Sequence, residues 1–520
     1  MTELEQIQRT WEAKEAQWQK QQAAYEHQLK VMESQMKLMA QKLYGRSSEK
    51  TSVDANQLSL FADMFNEAET CAAPEAPEPA LEAIQPKQKK KGHRAAITKA
   101  LETETVIQTL PAADCHCEWC ETTLAPIGKE YVRSEVEFIP AKLKKIEYYT
   151  TAYACPQCKA DGTDTIVKAP TPKPVIPNSL ASAKSVAHIM HQKYVMSLPY
   201  HRQEKEWKAY GLDLPRATLA NWTILPATRW LKPLVAQLDR YLVQADYLHA
   251  DETTTQVLRE PGKKATSTSY MWLFRTIKDS TQPVVRYHYA PSRSGDIPRD
   301  YLKDFKGYLH CDGYAGYHKV SAVTLVGCWA HARRKFKEAL DAMPAALKNK
   351  PSISQSGLSY CNALFHLESQ WAALSPEARH AKRLETAGPL LDEFWGWVEG
   401  TQLLDKTKTG QAIKYVKNQK VKLMAFLEDG HCDISNNLAE RSIRPFVIGR
   451  KNWHFSSSVK GAEASALIYS IIETAKANHL DVKKYLTYLF ENLPNTNFKE
   501  KPELLEAYLP WHPNIQVQCR

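Results

Sequence analysis

The sequence predicts a multidomain α+β protein built around an α/β unit with acidic residues at the ends of its strands. Three observations predict this. The chain has 520 residues, too many for one ordinary hydrophobic core. Four of its eleven cysteines stand in two Cys-x-x-Cys pairs. Between residues 245 and 337 strand-like runs give way to helical ones, and two of the runs end on aspartate. With 43% hydrophobic and 24% charged residues the composition is that of a folded chain, not a disordered one. No segment approaches the ~18 uncharged apolar residues of a membrane span, so no membrane partner is expected. The start, MTELEQIQRTWEAKEAQ, lacks the basic and apolar parts of a secretory signal. An odd cysteine count with two close pairs points to a cytoplasmic metal site and away from a disulfide scaffold. The net charge of +10 suits a polyanionic partner without identifying one.

Residues 1–45 are expected to form a coiled coil. Leu4, Trp11, Trp18, Tyr25, Met32 and Met39 recur every seven residues, and Leu29, Met36 and Leu43 add a second apolar set. The repeat is imperfect where Lys14, Gln21 and Gln28 replace apolar residues, but it favours a homodimer or higher assembly. Residues 46–109 read as a largely disordered linker, acidic and Pro/Ala-rich before the basic run KQKKKGHR.

Residues 110–170 form a predicted zinc-binding domain. Cys117 and Cys120 of CEWC, with Cys155 and Cys158 of CPQC, can close a tetrahedral Zn2+ shell, and the intervening residues alternate like a hairpin. Cys115 could replace Cys117, but it makes the poorer chelate. Four thiolates leave no open position, so this zinc is expected to be structural. Residues 178–240 follow as a candidate helix-turn-helix, with breaks at Pro199, Gly211 and Pro215. Its last helix offers Arg216, Thr218 and Asn221 to bases or phosphates.

The chemistry is carried by carboxylates. YLHADETTTQVL ends an apolar strand on Asp251, SYMWLFRTI and PVVRYHYA continue as a meander, and DIPRDYLKDF is helical. KGYLHCDGYAGYHKV then places Asp312 after another strand, and VTLVGCWAHARRKF is a strand running into a basic helix. That order is the order of the ribonuclease-H-like fold, in which the first and fourth strands are neighbours. The third acid is expected on a later helix, where DISNNLAERSIRP puts Asn436 or Asn437 at the N-cap and Glu440 one turn inside. A strand-like segment is expected to interrupt this helix near 446–456. Phosphodiester cleavage suits two Mg2+ or Mn2+ ions held by oxygen ligands, which an Asp-Asp-Glu set provides. Glu252 and Asp433 are the rival acids. Glu252 is expected on the opposite strand face from Asp251, and Asp433 ahead of the helix. Arg441, Arg444, Arg450 and Lys451, beside Trp453 and Phe455, favour DNA near the third acid.

The segments LYGRSSEK, CEWC, CPQC, ADET, HCDGYAGY, CWAHARRKF, NNLAERSIRPFVIGRKNWHFSSS, ALIYSIIETAKANHLD and LLEAYLPW together resemble the transposases of the insertion-sequence sixty-six family. The resemblance covers essentially the whole chain in order. It implies a leucine-zipper-like N-terminus, a zinc domain, a helix-turn-helix and a catalytic domain using Asp251, Asp312 and Glu440. That domain would occupy 245–337 and 431–492, split by a helical insertion at 338–430 and followed by a C-terminal segment, 493–520. The resemblance also marks Cys328 and His331 as a Cys-x-x-His motif. No second ligand pair is evident for zinc there, so His331, with Arg333 and Arg334 of the same basic helix, is expected to contact DNA. It further implies a nucleoid-associated bacterial protein with small accessory proteins of the same element as partners. A nuclease without strand transfer and a non-catalytic zinc-dependent DNA-binding regulator are the alternatives.

Overall fold

The computed structural model describes residues 143–154, 166–168, 170–343, 351–401 and 406–520. The predicted coiled coil, the linker and the cysteines Cys117, Cys120, Cys155 and Cys158 lie outside these residues. Of the zinc-binding region, a short antiparallel pair is described, β1 (Ala152–Ala154) with β2 (Ile166–Lys168).

Four helices follow. Ser182 opens α1 (Ala183–Tyr194) with a reciprocal capping box to Ser185. Pro199 starts α2 (Tyr200–Ala209), which ends at Gly211, whose φ of +88° makes the turn. Pro215 starts α3 (Arg216–Pro226), so the breaks fall where Pro and Gly predict them. The third helix does not stop there. It passes through a π-turn, Ala227–Leu231, into α4 (Lys232–Gln244), the widened turn lying between Pro226 and Pro233, which both lack an N–H. These helices have no core of their own: Val186, Ile189, Leu219 and Leu238 share one apolar cluster with the sheet and the C-terminal helices.

The sheet has five strands: β3 (Tyr247–Gln256), β4 (Thr268–Thr276), β5 (Val285–Ala290), β6 (Gly307–Cys311) and β7 (Val323–Gly327). Their spatial order is β5-β4-β3-β6-β7. The first three pair antiparallel, whereas β6 and β7 run parallel to β3. The first and fourth strands are therefore neighbours, as the element order predicted. A short helix, α5 (Asp296–Tyr301), precedes β6, and β7 leads directly into α6 (Trp329–Asp341).

Beyond α6 the chain makes a helical excursion: α7 (Ile353–Gln370), α8 (Pro376–Lys382), α9 (Gly388–Gly400) and α10 (Lys408–Met424). It has a second apolar cluster, including Phe336, Leu364, Phe394, Trp395 and Phe426. Fully buried Arg383 fastens the returning chain. Its guanidinium makes two 2.8 Å bonds to Glu368 and donates to the carbonyls of Phe426, Asp429 and Cys432.

The chain re-enters the sheet domain through α11 (Asn437–Trp453) and α12 (Val459–Ala477), with α13 (Val482–Asn492) and α14 (Pro513–Gln518) completing the core. The expected strand at 446–456 is absent. Ala439, Ile443, Phe446 and Val447 are buried at helical spacing, and packing on the sheet carries the helix through Pro445 to Trp453. The helix ends where His454 takes a φ of +62°, and only Ser456 makes a bridge, to Val257.

Candidate active site

Two strands with the same pattern, Tyr-Leu-His-x-Asp, lie side by side: YLHAD at 247–251 and YLHCD at 308–312. Their parallel register pairs Tyr247 with Tyr308, Leu248 with Leu309 and His249 with His310. Side chains two residues apart share a strand face, so like residues stack. The tyrosine rings lie 5.6 Å apart and nearly parallel, and the histidine rings 4.2 Å apart. Asp251 and Asp312 each stand two residues beyond the last paired positions, His249 and His310. Asp312 stands just past β6, where its Oδ1 accepts from the Tyr314 N–H at 2.9 Å and forms an Asx turn.

The third acid arrives from α11. Glu440 lies in the first turn, 6% exposed, with Asn436 at the N-cap. Asn436 does not cap with its side chain. It donates from Nδ2 to the Ala250 carbonyl of β3 (2.8 Å), and its Oδ1 accepts from His249 Nδ1 (2.9 Å). Its own N–H donates to Cys328 Sγ at 3.1 Å. Three residues earlier in this run of ties, the Asp433 N–H donates to His310 Nε2, so that ring carries its proton on Nδ1 and donates to the Leu248 carbonyl. Burial, then the adjacent His249, depresses the His310 pKa to about 3 and keeps it neutral. These bonds anchor the segment before α11 to both acid-bearing strands.

The carboxylates are electrostatically coupled. Asp251 is held well above the usual range, first by burial and then by Glu252, Asp312 and Glu440. Asp251 Oδ1 accepts from the Glu252 N–H, but buried Asp251 Oδ2 and Glu440 Oε1 have no hydrogen-bond partner among the described residues. Orphaned carboxylate oxygens at this density call for a cation, and an all-oxygen donor set suits a hard one.

The rival acids are satisfied. Glu252 lies on the other face of β3, bound by Arg293 (2.6 and 2.8 Å) and the Tyr317 hydroxyl (2.6 Å), although burial and Asp312 still push it up to about 7. Asp433 precedes α11, and its Oδ2 lies 3.3 Å from His249 Nε2. Against the effect of burial, the nearby imidazole of His249 holds Asp433 below the usual range.

The remaining candidates divide by location. Arg216 and Asn221 are exposed on α3, with Thr218 half-buried between them. Arg441 and Lys451 are exposed on α11 and Arg444 is half-buried. Arg450 turns inward to Thr253 and Thr254 of β3, and Arg333 donates to Asn362 of the insertion. His331 is 4% exposed, its Nδ1 3.8 Å from Glu440 Oε1, and Arg334 lies 3.8 Å from Glu440 Oε2. Sequence reasoning missed His249, His310 and the tying role of Asn436. The repeated Tyr-Leu-His-x-Asp pattern was the available signal for the two histidines.

Residues 178–464 match the family described as "Transposase IS66 family". The chain belongs to the IS66 transposase family. Residues 114–159 match "zinc-finger binding domain of transposase IS66", 32–106 "Transposase C of IS166 homeodomain" and 470–511 "IS66 C-terminal element". Two proteins of Sinorhizobium fredii (strain NBRC 101917 / NGR234), named Uncharacterized protein y4hP and Uncharacterized protein y4jD, are similar along most of their length. Each is 28% identical, over 91% of this chain and 86% of y4hP, and over 90% of this chain and 91% of y4jD. This IS66 chain is thus a transposase with DNA-binding parts, and its family implies divalent-metal use and zinc. No helix among the described residues is long and apolar enough to cross a membrane.

Proposed function

We propose that this transposase cuts the ends of its element and joins the freed 3′-OH ends to target DNA, using Asp251, Asp312 and Glu440 to hold two Mg2+ or Mn2+ ions. The observation that carries the proposal is the pair of buried oxygens without a hydrogen-bond partner among the described residues, Asp251 Oδ2 and Glu440 Oε1, in one electrostatic cluster with Asp312. When bound, such ions lower the pKa of water and stabilise charge on the attacking and leaving oxygens. Asp251 is held within β3, Asp312 by the Asx turn just past β6, and Glu440 through the Asn436 ties. The first reaction breaks a P–O bond with water and releases a 3′-OH. In the second, that 3′-OH displaces a target 3′ oxygen at phosphorus.

The strand order supports a ribonuclease-H-like fold for the sheet domain. The exposed face of α3, with Arg216 and Asn221, is the surface proposed to read the terminal repeat, while Arg441 and Lys451 hold backbone phosphates near the acids. Cys117, Cys120, Cys155 and Cys158 would hold the structural zinc, and the N-terminal heptads would join protomers.

The test is single replacement of Asp251, Asp312 and Glu440 by Ala, with Mg2+-dependent cleavage of end-containing DNA as the readout. Each variant should lose cleavage while still binding the end, and full activity in any one removes that residue from the site. A joined donor–target product separates the proposal from a nuclease without strand transfer.

A further inference from the structure

Cys328 stands at the N-cap position of α6 without capping it through its side chain, and His331 follows in the first turn. This spacing turns the thiol and the imidazole toward the same side, which faces the first turn of α11. Glu440 completes a buried triplet there: one ligand atom from each residue, Sγ, an imidazole nitrogen and a carboxylate oxygen, all within 4.8 Å of one another. Neighbouring ligands of a tetrahedral ion stand about 3.5 Å apart, given metal–ligand lengths of about 2.0–2.3 Å. Small side-chain rotations would therefore close the triplet on one ion. Glu440 Oε1 lacks a hydrogen-bond partner among the described residues, with His331 Nδ1 3.8 Å away, while Arg334 sits beside Oε2.

We propose that Cys328, His331 and Glu440 form a second metal site, for a thiophilic cation of the Zn2+ class, that overlaps the hard-metal site and switches it off. The donor chemistry makes the selection: sulfur and imidazole favour Zn2+, whereas Mg2+ prefers oxygen and keeps its water. Binding releases the thiol proton of Cys328. The Asn436 N–H, which already donates to Sγ, stabilises the resulting thiolate. The bound cation takes the carboxylate oxygen that the catalytic ions need, so Zn2+ and Mg2+ compete for Glu440. The competition rests on the proposed role of Glu440, but the binding does not.

The experiment uses the full chain with one zinc per protomer already bound, titrated with Co2+ and followed by thiolate-to-cobalt absorption. The wild type should show a band of one-thiolate intensity that Cys328→Ser abolishes and His331→Gln weakens at least ~10-fold. Serine keeps an acceptor for the Asn436 N–H, and an unchanged melting temperature confirms the fold. In parallel, Zn2+ should inhibit Mg2+-dependent cleavage competitively in the wild type and not in Cys328→Ser. Identical cobalt spectra in the wild type and both variants overturn the site. Equal zinc inhibition in the wild type and Cys328→Ser overturns the switch. If the catalytic reading alone is wrong, Glu440→Ala keeps its cleavage while the cobalt difference between wild type and Cys328→Ser persists.

Discussion

The two aspartates and the glutamate reach the same cluster by different physical means. Asp251 lies within β3 and Asp312 just past its parallel neighbour β6, two residues beyond the last rung of the backbone ladder, His249 with His310. Glu440 comes from a helix that the chain reaches only after the insertion, and side-chain bonds from Asn436, His249, His310 and Cys328 hold its first turn in place. Main-chain pairing is redundant, because every residue of the ladder repeats it. A side-chain tie is a single point of failure, since removing one partner leaves the other buried and unsatisfied. The strand half of the site should therefore tolerate change nearby better than the helix half.

The largest effect tests where the halves meet. Asp251→Ala and Glu440→Ala should both bring cleavage below detection, and Mn2+ should not rescue either, measured on a short duplex carrying the element's end.

Next is Arg383→Met, which leaves Glu368 and three carbonyls without their partner. It should cost about 3–5 kcal/mol in the transition of the insertion, read by denaturant melting followed at tryptophan. An unchanged midpoint would mean that the return to α11 is secured elsewhere.

Asn436→Leu sharpens the contrast more directly. It should cut metal affinity or cleavage about 10–100-fold while the fold persists, because it unties the first turn of α11 from β3 without breaking the backbone pairing of β3 with β6. The matching strand-side change, Leu309→Ile, should leave activity within about threefold, as a volume-conserving swap. Equal losses in the two would erase the distinction.

The smallest effect concerns His288 on β5, outside the site. Burial, then Arg286, holds its pKa near 4, below the usual histidine value of 6.5. The folded protein thus binds fewer protons than the unfolded chain between those values, and stability present above pH 6.5 is lost as pH falls toward 4. His288→Gln should flatten the fall in melting temperature between pH 7 and pH 5 without changing cleavage at pH 7.

Much of this was legible before folding because it is local. Pro199, Gly211 and Pro215 restrict backbone angles wherever they occur, so the helix breaks could be read directly. Alternation located the strands, and their order predicted that β3 and β6 would be neighbours. The strand expected at 446–456 failed for the opposite reason. Its aromatic and β-branched residues suit either structure, and burial on the sheet decided for helix.

By itself, the sequence determined the element order, the two aspartates beside neighbouring strands, the cysteine pairs and the family resemblance, all carried by spacing along the chain. Asp251, expected to end its strand, instead lies in the middle of β3, because pairing with β4 carries that strand on to Gln256. Only the tertiary structure decided which acids are already satisfied. Glu252 finds Arg293 and Tyr317, Asp433 finds His249, and Asp251 Oδ2 and Glu440 Oε1 find no hydrogen-bond partner among the described residues. It also brought Cys328 and His331 to Glu440 across the insertion. A carboxylate's partners come from segments distant in the chain, and no local pattern encodes which of them arrive.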